Sequence, residues 1–109
     1  MAQILGETWR DKSPAMKIVW SRRALRHLGS VRQHIEKDSE QSAALVAGRI
    51  LKAVELLQSH PEIGRTGRVL GTRELVVPET SYVIPYRVRG GRVELIAVFH
   101  GRQKWPLKL

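Results

Sequence analysis

Apolar and polar positions follow two rhythms along this chain, and the change from one to the other divides it. From Ala24 onward, Leu25, Leu28, Val31 and Ile35 recur at helical spacing, while Arg22, Arg26, Arg32 and Lys37 take the remaining faces. That stripe predicts a helix over 22–37, with Ser21 as its N-cap. The short β-rich run Lys17-Ile18-Val19-Trp20 precedes it and reads as a strand. After the polar turn 37–42, Ala43, Ala44, Val46, Ala47, Ile50, Leu51, Val54 and Leu57 form a second helical stripe. His60-Pro61 stops it near Ser59, because a proline pushes the residue before it out of the helical region. Two helices joined by so short a turn form an antiparallel hairpin.

The rhythm then shortens. Gly64, Gly67 and Gly71 alternate with Arg65, Arg68 and Arg73 in a basic loop. Three β-branched and aromatic runs follow, Glu74–Val77, Tyr82–Val88 and Val93–Phe99, which read as strands. Gly90-Gly91 between the last two is a tight-hairpin signal, since a type I′ turn needs positive φ at both central residues. Pro85 inside the middle run removes a ladder donor and belongs at a bulge or an unpaired edge. The order is β-α-α-β-β-β. On the last strand, strict alternation puts Val93, Leu95, Ala97 and Phe99 toward the helices and His100 on the other face.

Composition narrows the class. The chain has 109 residues, 42% hydrophobic and 27% charged, which suits one globular core. It has no cysteine, so disulfides and thiol chemistry by the chain are excluded. Residues 1–15 have no sustained periodicity and no signal-like apolar run, and are expected to be a flexible extension ahead of a 16–109 domain; a cytoplasmic location away from membranes is expected. Nineteen Lys and Arg against ten Asp and Glu leave a net charge of +9, spread over both halves, which points to a polyanionic partner. No metal or other cofactor is expected. His27 and His34 lack a third ligand nearby, and Gly64, Gly67 and Gly71 lack the Gly-Lys-Ser/Thr ending of a phosphate loop.

Several segments together, KIVWSRRALRHL, AALVAGRILKAVELL, HPEIGRTGRVLGTRELVV, YVIPYRV, VELIAVFH and HGRQKWP, resemble the RelE/ParE superfamily, the toxins of type II toxin–antitoxin pairs. The resemblance runs from Met16 to Pro106. It implies an α+β fold, a helical hairpin packed on a mostly antiparallel four-stranded sheet, and a cognate antitoxin whose acidic or amphipathic segment wraps the toxin. It also implies growth arrest by one of two activities, since RelE-like members cut mRNA on the ribosome and ParE-like members inhibit DNA gyrase; metal-independent cleavage of mRNA on the ribosome is the activity expected here, with gyrase inhibition or a degenerate toxin as the alternatives.

Metal-free RNA cleavage needs a base for the 2′-hydroxyl, an acid for the leaving oxygen, and cations on the phosphorane. By resemblance to RelE-like toxins, the roles fall on Arg73, Arg87 and Arg102 as phosphate clamps and on His100 as acid or base. Arg65, Arg68, Tyr86 and Trp105 would hold RNA, the last by stacking on a base. Each has a structural alternative. His100 could cap its strand, Tyr86 could be core, Arg73 could pair with Glu62, Glu74 or Glu79, Arg87 with Glu94, and Trp105 could plug the core.

Overall fold

The computed structural model describes residues 15–106, so the extension expected over 1–15 lies, apart from Ala15, outside the described residues. The element order is β1 (Lys17–Trp20), α1 (Arg22–Glu36), α2 (Glu40–Leu56), β2 (Arg65–Thr66), β3 (Arg73–Val76), β4 (Tyr82–Arg89), β5 (Arg92–Leu95) and β6 (Phe99–His100). Ser21 caps α1 as its sequence suggests: its Oγ accepts the Ala24 N–H at 3.0 Å. Ser39 does the same for Ser42 at 3.1 Å, so α2 begins a few residues earlier than its apolar stripe. It also ends earlier, at Leu56, well ahead of Pro61.

The strands form one sheet in the order β1-β5-β4-β3-β2, with β6 also paired to β4. Only β1 and β5 run parallel. The fold is α+β as expected, but the sheet has six strands instead of four. Arg65–Thr66 in the basic loop pairs with β3, and the single run expected over Val93–Phe99 is split in two.

A bulge makes that split. Between the pairs Val83↔Phe99 and Tyr86↔Leu95, β4 has two residues, Ile84 and Pro85, while the partner segment has three, Ile96, Ala97 and Val98. Ile96 N donates to Pro85 O at 2.9 Å, so the proline nitrogen, which has no hydrogen to give, faces the bulge. Two side chains of the first helical segment serve the bulge backbone. Ser21 Oγ donates to Ile96 O at 2.9 Å, and Val98 N donates to His27 Nδ1 at 3.1 Å.

One face of the sheet is covered by the helices. Ala24 and Val31 of α1 and Ile50, Ala53 and Val54 of α2 pack with Leu57 against Leu75, Ile84, Tyr86, Val93, Leu95 and Val98. Each fully buried Val, Leu or Ile side chain here contributes about 1.5–3 kcal/mol relative to exposure. The extra bulge residue resets the alternation beyond Leu95. Phe99 pairs with Val83, and its ring packs on Trp105 at 4.7 Å and on His27 of α1 at 5.4 Å, while His100 pairs with Tyr82, which packs on the helix-side core. This reverses the facing expected for His100, and the reason is that strict period-two alternation holds only while both strands advance in step.

Candidate functional site

The sheet face away from the two described helices carries a dense group of charged side chains. Strand register puts Arg65, Glu74 and Pro85 in one row, Arg87 and Glu94 in the next, and Arg89, Arg92 and Lys17 in the row nearest the Gly90-Gly91 turn. Gly90 and Gly91 have φ of 53° and 74°, so the tight hairpin holds Arg89 opposite Arg92.

Glu74 anchors the middle of this face. Its side chain is 3% exposed, and one oxygen accepts from Arg65 Nε at 3.1 Å and from its terminal amine at 3.0 Å. The other accepts from the Arg68 backbone N–H at 2.8 Å and from Arg68 Nε at 3.1 Å. Burial alone would raise the carboxyl pKa; the bonds from Arg68 and Arg65 outweigh it and hold the group below the usual carboxylate range. Held there, the Arg68 guanidinium lies 3.6 Å above the Trp105 ring, and Trp105 in turn meets Phe99 at 4.7 Å between centroids. A continuous stack, Glu74, Arg68, Trp105 and Phe99, therefore fastens the C-terminal segment onto the sheet. Trp105 Nε1 is buried without a partner among the described residues.

Arg65, Arg68, Arg87 and Trp105 thus share this face. Arg73 does not. It pairs with Tyr86 on the helix side, and its guanidinium donates to the carbonyls of Glu62 at 3.2 Å and Gly64 at 3.0 Å. Tyr86 is fully buried; its hydroxyl donates to Pro61 O at 2.6 Å and accepts the Gly64 N–H at 2.9 Å. Burial pushes this phenol up, against smaller opposing contributions from the Gly64 N–H and Arg73. Arg73 and Tyr86 together hold the 61–64 loop where the chain leaves α2.

His100 and Arg102 stand elsewhere again. His100 meets Tyr82 edge-on at 5.5 Å, and its Nδ1 accepts the Arg102 backbone N–H at 3.1 Å, which directs the proton of a neutral ring to Nε2. It lines an open cleft of about 340 Å³ with His27, Ser30, His34, Tyr82 and Gln103. Arg102 lies exposed in the turn beyond β6. No group of three His, Cys, Asp or Glu among the described residues is arranged to hold a metal ion.

The hairpin offers Glu94 as a partner for Arg87, the alternative to its role as a phosphate clamp. The two are opposite in register, but the Glu94 carboxylate is bonded at 2.9 Å to Arg89. Sequence reasoning passed over Lys17, Arg89 and Arg92. A signal was present, since a Gly-Gly turn flanked by two arginines already implies that they face each other. His27 was also given little weight, and no sequence feature marks its bond to Val98.

Comparisons with known proteins agree with this architecture. The family model described as ParE toxin of type II toxin–antitoxin system, parDE, matches residues 18–105. A putative toxin, Y4kP, of Sinorhizobium fredii is 46% identical over 90 residues, covering 83% of this chain and 93% of that relative. Toxin RelE2 of Caulobacter vibrioides is 34% identical over 84 residues, covering 77% and 93% respectively. Among solved structures, a chain of the chromosomal ParDE toxin–antitoxin system from P. aeruginosa superposes with a TM-score of 0.73 at 24% identity, over 79% of this chain and 96% of that one. That likeness shows the fold.

Proposed function

The chain belongs to the ParE toxin family of type II toxin–antitoxin systems, and from that premise we propose that it arrests growth by binding DNA gyrase, without cutting RNA. The observation that supports this reading is the dispersal of the groups a metal-free ribonuclease must gather on one phosphate. Arg73 lies on the helix side and is occupied by loop carbonyls; Arg87 lies on the opposite face. His100 pairs with Tyr82, four residues along β4 from the Arg73 partner Tyr86, a backbone separation of about 13 Å. Their separation across two faces and along β4 favours a reading in which no single phosphate gathers them. Binding to a protein needs no such convergence, only a shaped surface. The partner that silences the protein is an antitoxin with an acidic segment, matched to the net charge of +9.

Expression without any partner, in cells where the protein is recovered soluble and folded, should stop growth, and co-expression of the neighbouring antitoxin should restore it. In the arrested cells, mapping of transcript 5′ ends should find coding frames intact, while DNA supercoiling changes and gyrase–DNA cleavage complexes accumulate. New 5′ ends within coding frames, appearing before any change in supercoiling, would overturn the proposal in favour of RNA cleavage.

A further inference from the structure

Like charges set directly opposite each other on neighbouring strands are destabilising, yet this sheet places three cations side by side. Arg89 is opposite Arg92 across the hairpin, and Arg92 is opposite Lys17 across the parallel β1–β5 pair. All three are exposed, and Arg87 stands one row behind them. Glu94 is the acidic neighbour, and it is taken by Arg89; Lys17 and Arg92 make no ion pair among the described residues. The turn that presents the row is a tight hairpin on a sheet packed from behind by both helices, so the cations stand on a preformed base.

We infer that this open face is a docking site for the phosphate backbone of duplex DNA, with Lys17, Arg92 and Arg89 as the contact row and Arg87 as its second rank. Three strands spaced about 4.8 Å apart make the row about 10 Å wide. Duplex DNA carries one phosphate per about 1.7 Å of axis, so several phosphates come within reach at once. Single-stranded nucleic acid is the less fitting ligand, because proteins hold it by stacking bases on free aromatic rings. Among the described residues, the aromatic rings at this face are Phe99, which is buried, and Trp105, whose ring is covered by Arg68. The contact is with backbone alone and carries no sequence preference.

The test is fluorescence anisotropy of a labelled duplex of about 20 base pairs with the complete chain, titrated at several salt concentrations, with a single strand of equal length as the comparison. Four phosphate contacts predict a slope of log K against log salt of about −3.6. The double variant Lys17→Gln/Arg92→Gln should weaken duplex binding about tenfold or more at low salt and reduce the slope by about two. Its thermal midpoint should be unchanged or raised, since repulsion within the row is relieved. Arg26→Gln/Arg32→Gln on the exposed side of α1 removes the same charge elsewhere and should lose far less. Three results would overturn the inference: no duplex binding at low salt, tighter binding of the single strand, or equal losses from the two double variants. Because no gyrase is present, failure here leaves the proposed target untouched, and failure of that proposal leaves this measurement valid.

Discussion

The hydroxyl of Tyr86 bridges a carbonyl and an amide of the 61–64 loop from inside the core, so a single oxygen connects the sheet to the end of the helical hairpin. Tyr86→Phe leaves the Gly64 N–H and the Pro61 carbonyl without that partner, and should lower unfolding free energy by about 1–3 kcal/mol in a urea titration, with an unchanged m-value. Gly64 is small for the same reason: a Cβ there would sit 2.6 Å from a Tyr86 ring carbon. His27 is a second residue with a sharp expectation. Burial first, and then the charges of Arg23 and Arg26, hold its pKa below 6.5. The unfolded chain therefore binds the proton more readily than the folded one, and stability present above about pH 6.5 is lost as pH falls through the folded pKa. Protonation at Nδ1 also removes the acceptor for Val98 N–H. Thermal midpoints measured from pH 7.5 down to 5 should fall, and fall less in His27→Gln, whose amide oxygen cannot be charged. A midpoint that rises on acidification would contradict this assignment.

At the scale of the element, the bulge at 96–98 decides what the last strand presents. Ser21 serves it and the start of α1 with one hydroxyl, accepting from Ala24 N–H and donating to Ile96 O. Ser21→Ala removes both bonds and should destabilise by about 1–2 kcal/mol, near the upper end for an N-cap; Ser21→Thr should recover most of that. A loss no larger than a few tenths in Ser21→Ala, read by denaturant midpoint, would mean that neither bond matters. The consequence of the bulge for function is positional: His100 turns toward the cleft beside α1, and Phe99 lies where Trp105 and Arg68 close over it.

Over the whole molecule, a net charge of +9 on 109 residues means that the folded state works against its own repulsion. Raising sodium chloride from about 20 to 200 mM shortens the screening length severalfold and should raise the thermal midpoint. A midpoint that falls with added salt would show that ion pairs such as those around Glu74 outweigh the repulsion. Part of that surplus is the row Lys17, Arg92 and Arg89, on the sheet face that neither described helix covers, where the nucleic-acid contact proposed above would form.

The helical stripes, the Ser21 cap and the Gly90-Gly91 hairpin were legible in the chain because each depends on residues close in sequence. With the family resemblance they lead to the helical hairpin on a mostly antiparallel sheet. Pro85 narrowed its own place to a bulge or an unpaired edge, since a missing donor restricts where a strand residue can sit, and the structure puts it opposite the bulge. The facing of His100 was not legible, because it depends on one unmatched residue between two strands. Nor was the separation of Arg73 from Arg87: their neighbours in sequence say nothing of which face each occupies, and that is settled by register against β4. Glu74 shows the same division. Its charge is written in the sequence, but burial between Arg65 and Arg68 exists only once β2 folds back beside β3.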